Sequence, residues 1–503
     1  MRSSHLKDQA LERARRFLAK RAGFLKDRLV SGDLDGIRRA VVIPVLSEEK
    51  SLFNTLAKLA CNSAEELAQT LVICVVNNRV EPLAGSEQVA DNQRTLVHLE
   101  DLVHGRSAAT QPRIDPGSLR LAYVDASSPG CEIGPKMGVG EGRRIGLDLG
   151  LSVFTKNGED RGILICLDAD TLVETDYLDQ IQRHFDTRDS RAAVVGYAHT
   201  CPADVRRRTA IVRYELFLRY HELGLRSARS PYAFPTIGST IVARCDAYVA
   251  AGGMNRRQAG EDFYFLQELA KTGSVSRIDA TTVHPSARSS DRVPFGTGAT
   301  VGRHLARISH QLPTAADDAP CPAAFCRRPS GVAKHHRARH LTALATEPGE
   351  ICGLASADDG AAVYHPESYS ILGAWLSIVR GGLDCTASGL LGSAGDISPH
   401  LREFLELNAF GEVWPRLQQN AAHPEGLERQ FYRWFDAFKT LKLIHFLRDQ
   451  QLSRLPIFDA VHELLDRTGP SCSGVAWNTL ADDLDAQEGL LEFLRRRCAA
   501  DEG

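Results

Sequence analysis

No stretch of this chain approaches the ~18–20 uninterrupted apolar residues that a membrane-spanning helix needs. The opening segment, MRSSHLKDQALERARRFLAKRAGFLKDRLV, mixes acids and bases and lacks an apolar run, so it is not expected to act as a secretory signal. Charge of one sign is also missing. Sixty basic and 63 acidic residues leave a net charge of -3, which excludes a general nucleic-acid binder. An anionic ligand must then be held by locally placed cations rather than by a global field. There is no CxxC pair. The 12 cysteines are scattered, with Cys74 and Cys166 inside apolar runs. Such cysteines behave as small buried residues of a reducing compartment, and the expected location is cytoplasmic.

What is present is ordinary globular composition, 43% hydrophobic and 24% charged. At ~100–200 residues per domain, 503 residues predict two to four domains. Leu11, Ala14, Leu18, Ala22 and Leu25 recur at helical spacing and predict an amphipathic helix within residues 1–37. It is read as packed on the body of the protein, although its pattern also suits a peripheral membrane contact.

From residue 38 strands and helices alternate. RRAVVIPVL (38–46), LVICVVNN (71–78), LRLAYVDAS (119–127) and GILICLDADT (162–171) read as buried strands. Helical patterns follow at 47–60, 138–154 and 177–185. This order predicts an α/β fold with a mainly parallel sheet covered on both faces. Ligands of such sheets sit beyond the carboxyl ends of the strands. Each strand here ends on suitable groups: Pro44 to Glu48, Asn77 and Asn78, Asp125, then Asp168 and Asp170.

Residues 310–345, rich in Ala, Pro and charge, read as a linker or poorly ordered insertion. Residues 346–503 read as a mainly helical C-terminal domain, with ERQFYRWFDAFKTLKLIHFLRDQQ (428–451) as one helical stretch. Trp434, Phe435 and Phe438 lie at helical spacing there, so they and Trp414 are assigned to the core rather than to sugar stacking. Cys321 and Cys326 with His335, His336 and His340 lack the compact spacing of a structural zinc site.

On an extended strand end, residues i and i+2 face the same side, so Asp168 and Asp170 can aim two carboxylates at one point. Two hard oxygen ligands suit Mg²⁺ or Mn²⁺, which take their remaining oxygens from water and substrate phosphate. The competing reading is an acidic turn that caps the next helix. An isolated DxD triplet is weak evidence, and its place after a buried strand of a βα series favours the metal.

Three stretches together resemble the family 2 glycosyltransferases of GT-A fold: AVVIPVLSEEKSLFNTL, the DAD after ILICL, and GSTIVARCDAYVAAGGMNRRQAGEDFYFLQELAKTG (238–273). The likeness spans roughly residues 38–300, within a domain expected over 38–309, and rests on the order and spacing of the motifs. It implies a nucleotide-diphosphate sugar donor, UDP- or GDP-linked, and a divalent cation, Mn²⁺ or Mg²⁺. Pro44, Val45 and Glu48 then resemble the segment that meets base and ribose, with Asn77 and Asn78 at the next strand end. Asp168 and Asp170 match the DxD motif, Asp170 as the more direct metal ligand and Asp168 nearer the ribose. In GED, Glu261 and Asp262 match the ED motif, with Asp262 as general base on the acceptor hydroxyl. The QxxRW motif of processive synthases is absent, which excludes a polymerase of that type. No dinucleotide-type GxGxxG follows the first strand.

GPKMGVGEGRRIGLDLGL (134–151) resembles the family segment whose basic residue and glycines approach the donor. Lys136 and Arg143 are assigned to the donor phosphates, while Arg144 is equally readable as a solvated arginine at a helix start. Gly138, Gly140 and Gly142 are expected to allow close backbone approach. In VHPSARSSDRVPFGTG (283–298), His284 is expected as a third metal ligand and Arg288 and Arg292 as a diphosphate clamp. FGTG reads as a loop that closes over the donor.

The implied reaction is in-line transfer of the sugar to an acceptor hydroxyl, with inversion. Retaining GT-A enzymes acting on a small acid such as glycerate, and a non-catalytic sugar-nucleotide scaffold, are the alternatives. A nucleotidyltransferase needs a glycine-rich basic loop where this chain has LSEEKSLF.

Overall fold

The computed structural model describes residues 2–21, 28–290, 292, 296–311, 362–469 and 475–499. The 310–345 segment, apart from its first two residues, and the Cys321–His340 set fall outside the described residues.

A nine-stranded sheet forms the core. Its strands are β1 (Leu29–Ser31), β2 (Arg39–Val45), β3 (Thr70–Asn77), β4 (Arg120–Ala126), β5 (Ile163–Cys166), β6 (Thr171–Val173), β7 (Ala192–Tyr197), β8 (Ile241–Arg244) and β9 (Val275–Pro285). They lie in the order β1-β4-β3-β2-β5-β8-β7-β9-β6. β4, β3, β2 and β5 form a parallel block. β8 is antiparallel to β5 and β7, and β9 lies parallel to β7, so six strands share one direction and β1, β6 and β8 oppose it.

Every residue of β2 and β3 is buried, as the continuous Val/Ile runs require of strands covered on both faces. Their side chains divide with period two. Val42, Ile73 and Val75 face one core cluster, and Val41, Ile43, Val72 and Val76 face the other. Burial pushes the Cys74 and Cys166 thiols up to about 12, so both are inert packing groups.

The helices of this half are α1 (Arg2–Arg21), α2 (Glu49–Leu59), α3 (Ala64–Ala68), α4 (Ser86–Val103), α5 (Val139–Asn157), α6 (Tyr177–Thr187), α7 (Val205–Ser227), α8 (Cys245–Ala250), α9 (Glu261–Thr272) and α10 (Thr297–Gln311). α1 lies on α5 and α8 through Leu11, Ala14 and Leu18. Arg21 fixes its end by bonding Asp148 and the carbonyls of Gly252 and Met254.

α5 is pressed against the sheet by a stripe of small residues. Gly146 faces Val42 and Val75, and Gly150 faces Ala40 and Leu164, closely enough that a Cβ at either position would overlap them. This stripe sets the depth at which the first turn of α5 enters the sheet edge.

The C-terminal helices are α11 (Glu367–Gly381), α12 (Ala387–Ile397), α13 (Pro399–Leu407), α14 (Phe410–Asn420), α15 (Pro424–Trp434), α16 (Ala437–Gln450), α17 (Ile457–Thr468) and α18 (Leu484–Ala499), with a short ribbon of β10 (Ala362–Val363) and β11 (Leu455–Pro456). They share one core with α7, in which Trp375, Phe410, Trp414, Phe431 and Phe435 interlock. Trp414 is fully buried and its indole N–H donates to the Cys385 carbonyl at 2.9 Å. The 428–451 stretch is two helices rather than one. Asp436 interrupts it because its side chain caps α16 by accepting from the Lys439 N–H.

Candidate active site

The carboxyl ends of β2, β3 and β5 open onto a cavity of about 540 Å³. That volume lies within the range of sites for small organic ligands. Its wall includes Pro44, Glu48, Asn77, Asn78, Arg143, Asp168, Asp170, Glu261, Asp262, Arg288 and Arg292. Eleven residues expected from the sequence, separated by up to 248 positions, therefore meet in one space.

Local backbone geometry aims the acids. After β2, Ser47 takes a positive φ of 53° and its N–H donates to Asn92 Oδ1 at 2.8 Å. The chain thereby turns Glu48 inward, where only 6% of it is exposed. β5 stops at Cys166, short of the acids, and Asp168 to Thr171 form a turn closed by the Thr171 N–H on the Asp168 carbonyl at 3.1 Å. Asp168 and Asp170 thus reach the same cavity from a turn and not as alternating residues of an extended strand.

The cations are shared among these acids. Arg143, from the first turn of α5, is buried and bonds both Asp168 and Glu261. Gly238 leaves the space its guanidinium fills. Arg288 donates to Asp170 through Nε at 2.8 Å and to Glu48 through Nη2. Arg292 bonds the same Glu48 oxygen and donates to the Ser47 carbonyl at 2.9 Å. Glu48 Oε2 is buried without a hydrogen-bond partner among the described residues.

Asp170 is pushed up to about 6, first by burial, then by the Glu48 and Asp168 charges, against the opposing pull of Arg288. Burial also raises the Asp262 carboxyl, opposed by Arg143. Its Oδ1 accepts from the Phe263 N–H at 2.8 Å, at the start of α9.

Asn78 is already spent on the fold. Its side chain accepts from Asn92 and Ser127 and donates to the carbonyls of Arg79 and Ser127. Asn77 is different: its Oδ1 is buried and without a partner among the described residues, so it can still accept from a ligand.

Several expected residues lie elsewhere. His284 does not line the cavity. In the β6–β9 pairing its Nε2 meets Glu174 at 2.7 Å and its Nδ1 the Ala198 carbonyl at 3.0 Å, which occupies both ring nitrogens. Val45 is fully buried in the core, and Lys136 is exposed outside the cavity wall. Arg144 is buried on Glu141 and Asp148, so it is structural. Gly138 and Gly140 are closely approached by the backbone of residues 255–258, and Gly138 also borders the cavity. Gly142 packs on Asn77 and Pro44.

Sequence reasoning missed Arg79, Gln88, Tyr214 and Gln258, which also line the cavity. Only Arg79 carried a signal, as the residue after the Asn77–Asn78 strand end. Of FGTG, Gly296, Thr297 and Gly298 border the cavity, Thr297 and Gly298 in the first turn of α10 rather than in a loop, while Phe295 lies outside the described residues.

The residues can accept a divalent cation. Two carboxylates on one turn, of which Asp170 is raised by burial and by the neighbouring Glu48 charge, form a cation-seeking pair. Among the described residues no cluster of three or more His, Cys, Asp or Glu forms a closed metal cage. An open two-carboxylate site is the arrangement in which Mg²⁺ or Mn²⁺ relies on substrate phosphates. No described helix is long and apolar enough to cross a membrane.

Residues 163–306 match the family profile described as "Glycosyl transferase family group 2". That span contains the acid turn, the GED triplet and two of the cavity arginines, Arg288 and Arg292. No curated protein sequence matches the chain. Among solved structures, residues 1–349 of S. aureus TarS in complex with UDP-GlcNAc are 11% identical at a TM-score of 0.35, covering 76% of this chain and 91% of that one. The same fragment with UDP gives 10% identity and a TM-score of 0.31, over 79% and 91% of the two chains. The longer TarS structure gives 11% and 0.30, over 76% of this chain and 55% of that one. The likeness to family 2 glycosyltransferases thus lies on residues 163–306, within a mixed, mainly parallel sheet that is followed by a helical C-terminal region.

Proposed function

We propose that the protein transfers a sugar from a nucleotide-diphosphate donor to an acceptor hydroxyl with inversion, Asp262 being the base. The observation that carries this reading is the meeting of Asp262, the Asp168–Asp170 turn and the Arg288–Arg292 pair in one cavity.

Pro44 and the free Oδ1 of Asn77 lie at the strand ends suited to ribose and base. Arg288 and Arg292 supply bidentate donors for a diphosphate once it replaces Glu48 and Asp170 as their partner. Asp170, with Asp168, would hold a divalent cation. When bound, that cation supplies charge stabilisation for the departing diphosphate.

The chain's own part in the chemistry is at Asp262. Burial lifts its carboxyl above the ordinary value, which makes the carboxylate a stronger base. It takes the acceptor's hydroxyl proton as the oxygen attacks the anomeric carbon opposite the leaving group. One in-line displacement reverses that centre. Arg143 keeps Glu261 and Asp168 paired beside it, so the base is not one of an uncompensated group of acids.

The test is release of UDP or GDP from a panel of sugar nucleotides with and without Mn²⁺, with the product anomer read by NMR. Release that requires the cation, and an inverted product, are the expected results. Nucleotide binding without turnover on any donor would reduce the protein to a binding scaffold.

A further inference from the structure

A buried chain of polar contacts runs from the C-terminal helix to the cavity. Arg495 of α18 donates to Glu215 of α7 through Nε at 2.8 Å and Nη2 at 3.1 Å. Glu215, 1% exposed, accepts from both the backbone N–H and Nδ1 of His199, each at 2.9 Å. His199 Nε2 then meets Thr297 Oγ1 at 3.2 Å. Thr297 and Gly298 border the cavity at the start of α10. The Gly298 carbonyl accepts the Ser290 N–H at 3.1 Å, and a Cβ on Gly298 would overlap Ser290. Ser290 lies midway between Arg288 and Arg292.

We propose that Arg495, Glu215 and His199 are positioning residues that fix Thr297 and Gly298, and through Gly298 the Ser290 that lies between Arg288 and Arg292, so that the C-terminal helix α18 is part of the donor site. This rests on the reading of Arg288 and Arg292 as diphosphate ligands.

The chemistry of each link suits a rigid connection. Burial alone would raise the Glu215 carboxyl, but His199, Arg495 and Arg219 outweigh it and hold the group well below the usual range. Glu215 is therefore a carboxylate that accepts and never donates, and its acceptance from Nδ1 selects the tautomer of His199. With Nδ1 donating to Glu215, the ring is held so that Nε2 bonds the Thr297 hydroxyl and restricts its rotamer. Arg219 adds a bond to Glu215 and stacks on Tyr197, so Glu215 keeps cationic partners when Arg495 is removed. Arg495 is thus the link that can be cut without stranding a buried charge.

The experiment measures binding of UDP, GDP and UMP with Mn²⁺ to the full-length protein, Arg495→Met, Thr297→Val and their double variant. Losing one charge-assisted link is expected to weaken diphosphate binding about tenfold. UMP binding, which lacks the second phosphate, is expected to change less than about twofold on the same scale. The double variant should bind no worse than the weaker single variant, and Arg495→Lys should restore part of the loss. Equal loss for UDP and UMP, or additive losses in the double variant, would overturn the relay in favour of general destabilisation. Failure of the unaltered protein to bind UDP or GDP would instead overturn the donor-site reading.

Discussion

The Arg288 Nε lies 2.8 Å from Asp170 Oδ2, while its Nη2 bonds Glu48, so one guanidinium neutralises two of the acids at the sheet edge. A cation near a carboxylate competes with any second cation for it. Arg288→Met should therefore bind Mn²⁺ alone more tightly, by about tenfold, while UDP with Mn²⁺ binds at least tenfold more weakly. Calorimetric titration separates the two. Unchanged Mn²⁺ affinity would mean that Arg288 and the metal do not share Asp170.

Asp262 is expected to act on the acceptor proton and not on the donor. Asp262→Asn keeps the side chain's size and its acceptor oxygen for the Phe263 N–H but removes the base. Turnover should fall by about 10²–10⁴-fold. UDP affinity should stay within about threefold, under 1 kcal/mol. Full activity in this variant would displace the base assignment to another residue.

The sheet, its cover and most of the site could be read in the sequence because each depends on local pattern. Strand ends rich in Asn and Asp mark the edge where the cavity lies, and β2, β3 and β4 fall within one residue of expectation. What escaped depends on pairing across the fold. His284 looks like a ligand by its position, but its fate is decided by Glu174, 110 positions away, through the β6–β9 pairing. The glycines of α5 look like phosphate contacts, yet they answer to the 255–258 backbone and to the bulk of Val42. Arg495 carries no motif at all, and only the packing of α18 on α7 gives it a role.

Gly238 offers a test of how tightly the cation network is set. A methyl group there would overlap the Arg143 guanidinium, which is enclosed and bonded to Asp168 and Glu261. Arg143 can yield only toward the cavity that it lines, which breaks one of those bonds. Gly238→Ala is expected to cost about 1–3 kcal/mol of stability, the usual penalty of overpacking. UDP binding should weaken with it, because Asp168 loses its fixed orientation. A variant that melts and binds like the parent would show that Arg143 has room to shift.

Acid should loosen the seam between α7 and the C-terminal helices. Burial pushes the His221 imidazole down to about 4, and His445 to about 4 for the same leading reason. Both are neutral partners of tyrosine hydroxyls, His221 of Tyr369 and His445 of Tyr364, each at 2.8 Å. A depressed imidazole pKa means that the unfolded chain binds more protons than the folded one between about pH 4 and 6.5. Their stabilising contribution is therefore complete above about pH 6.5 and is lost as pH falls toward 4. At pH 5 each group should have given up on the order of 2 kcal/mol. Melting temperatures measured from pH 7.5 down to 5 should fall for the parent protein and fall less for His221→Gln, whose amide does not titrate in that range. Parallel curves for the two would show that His221 charges without opening the seam.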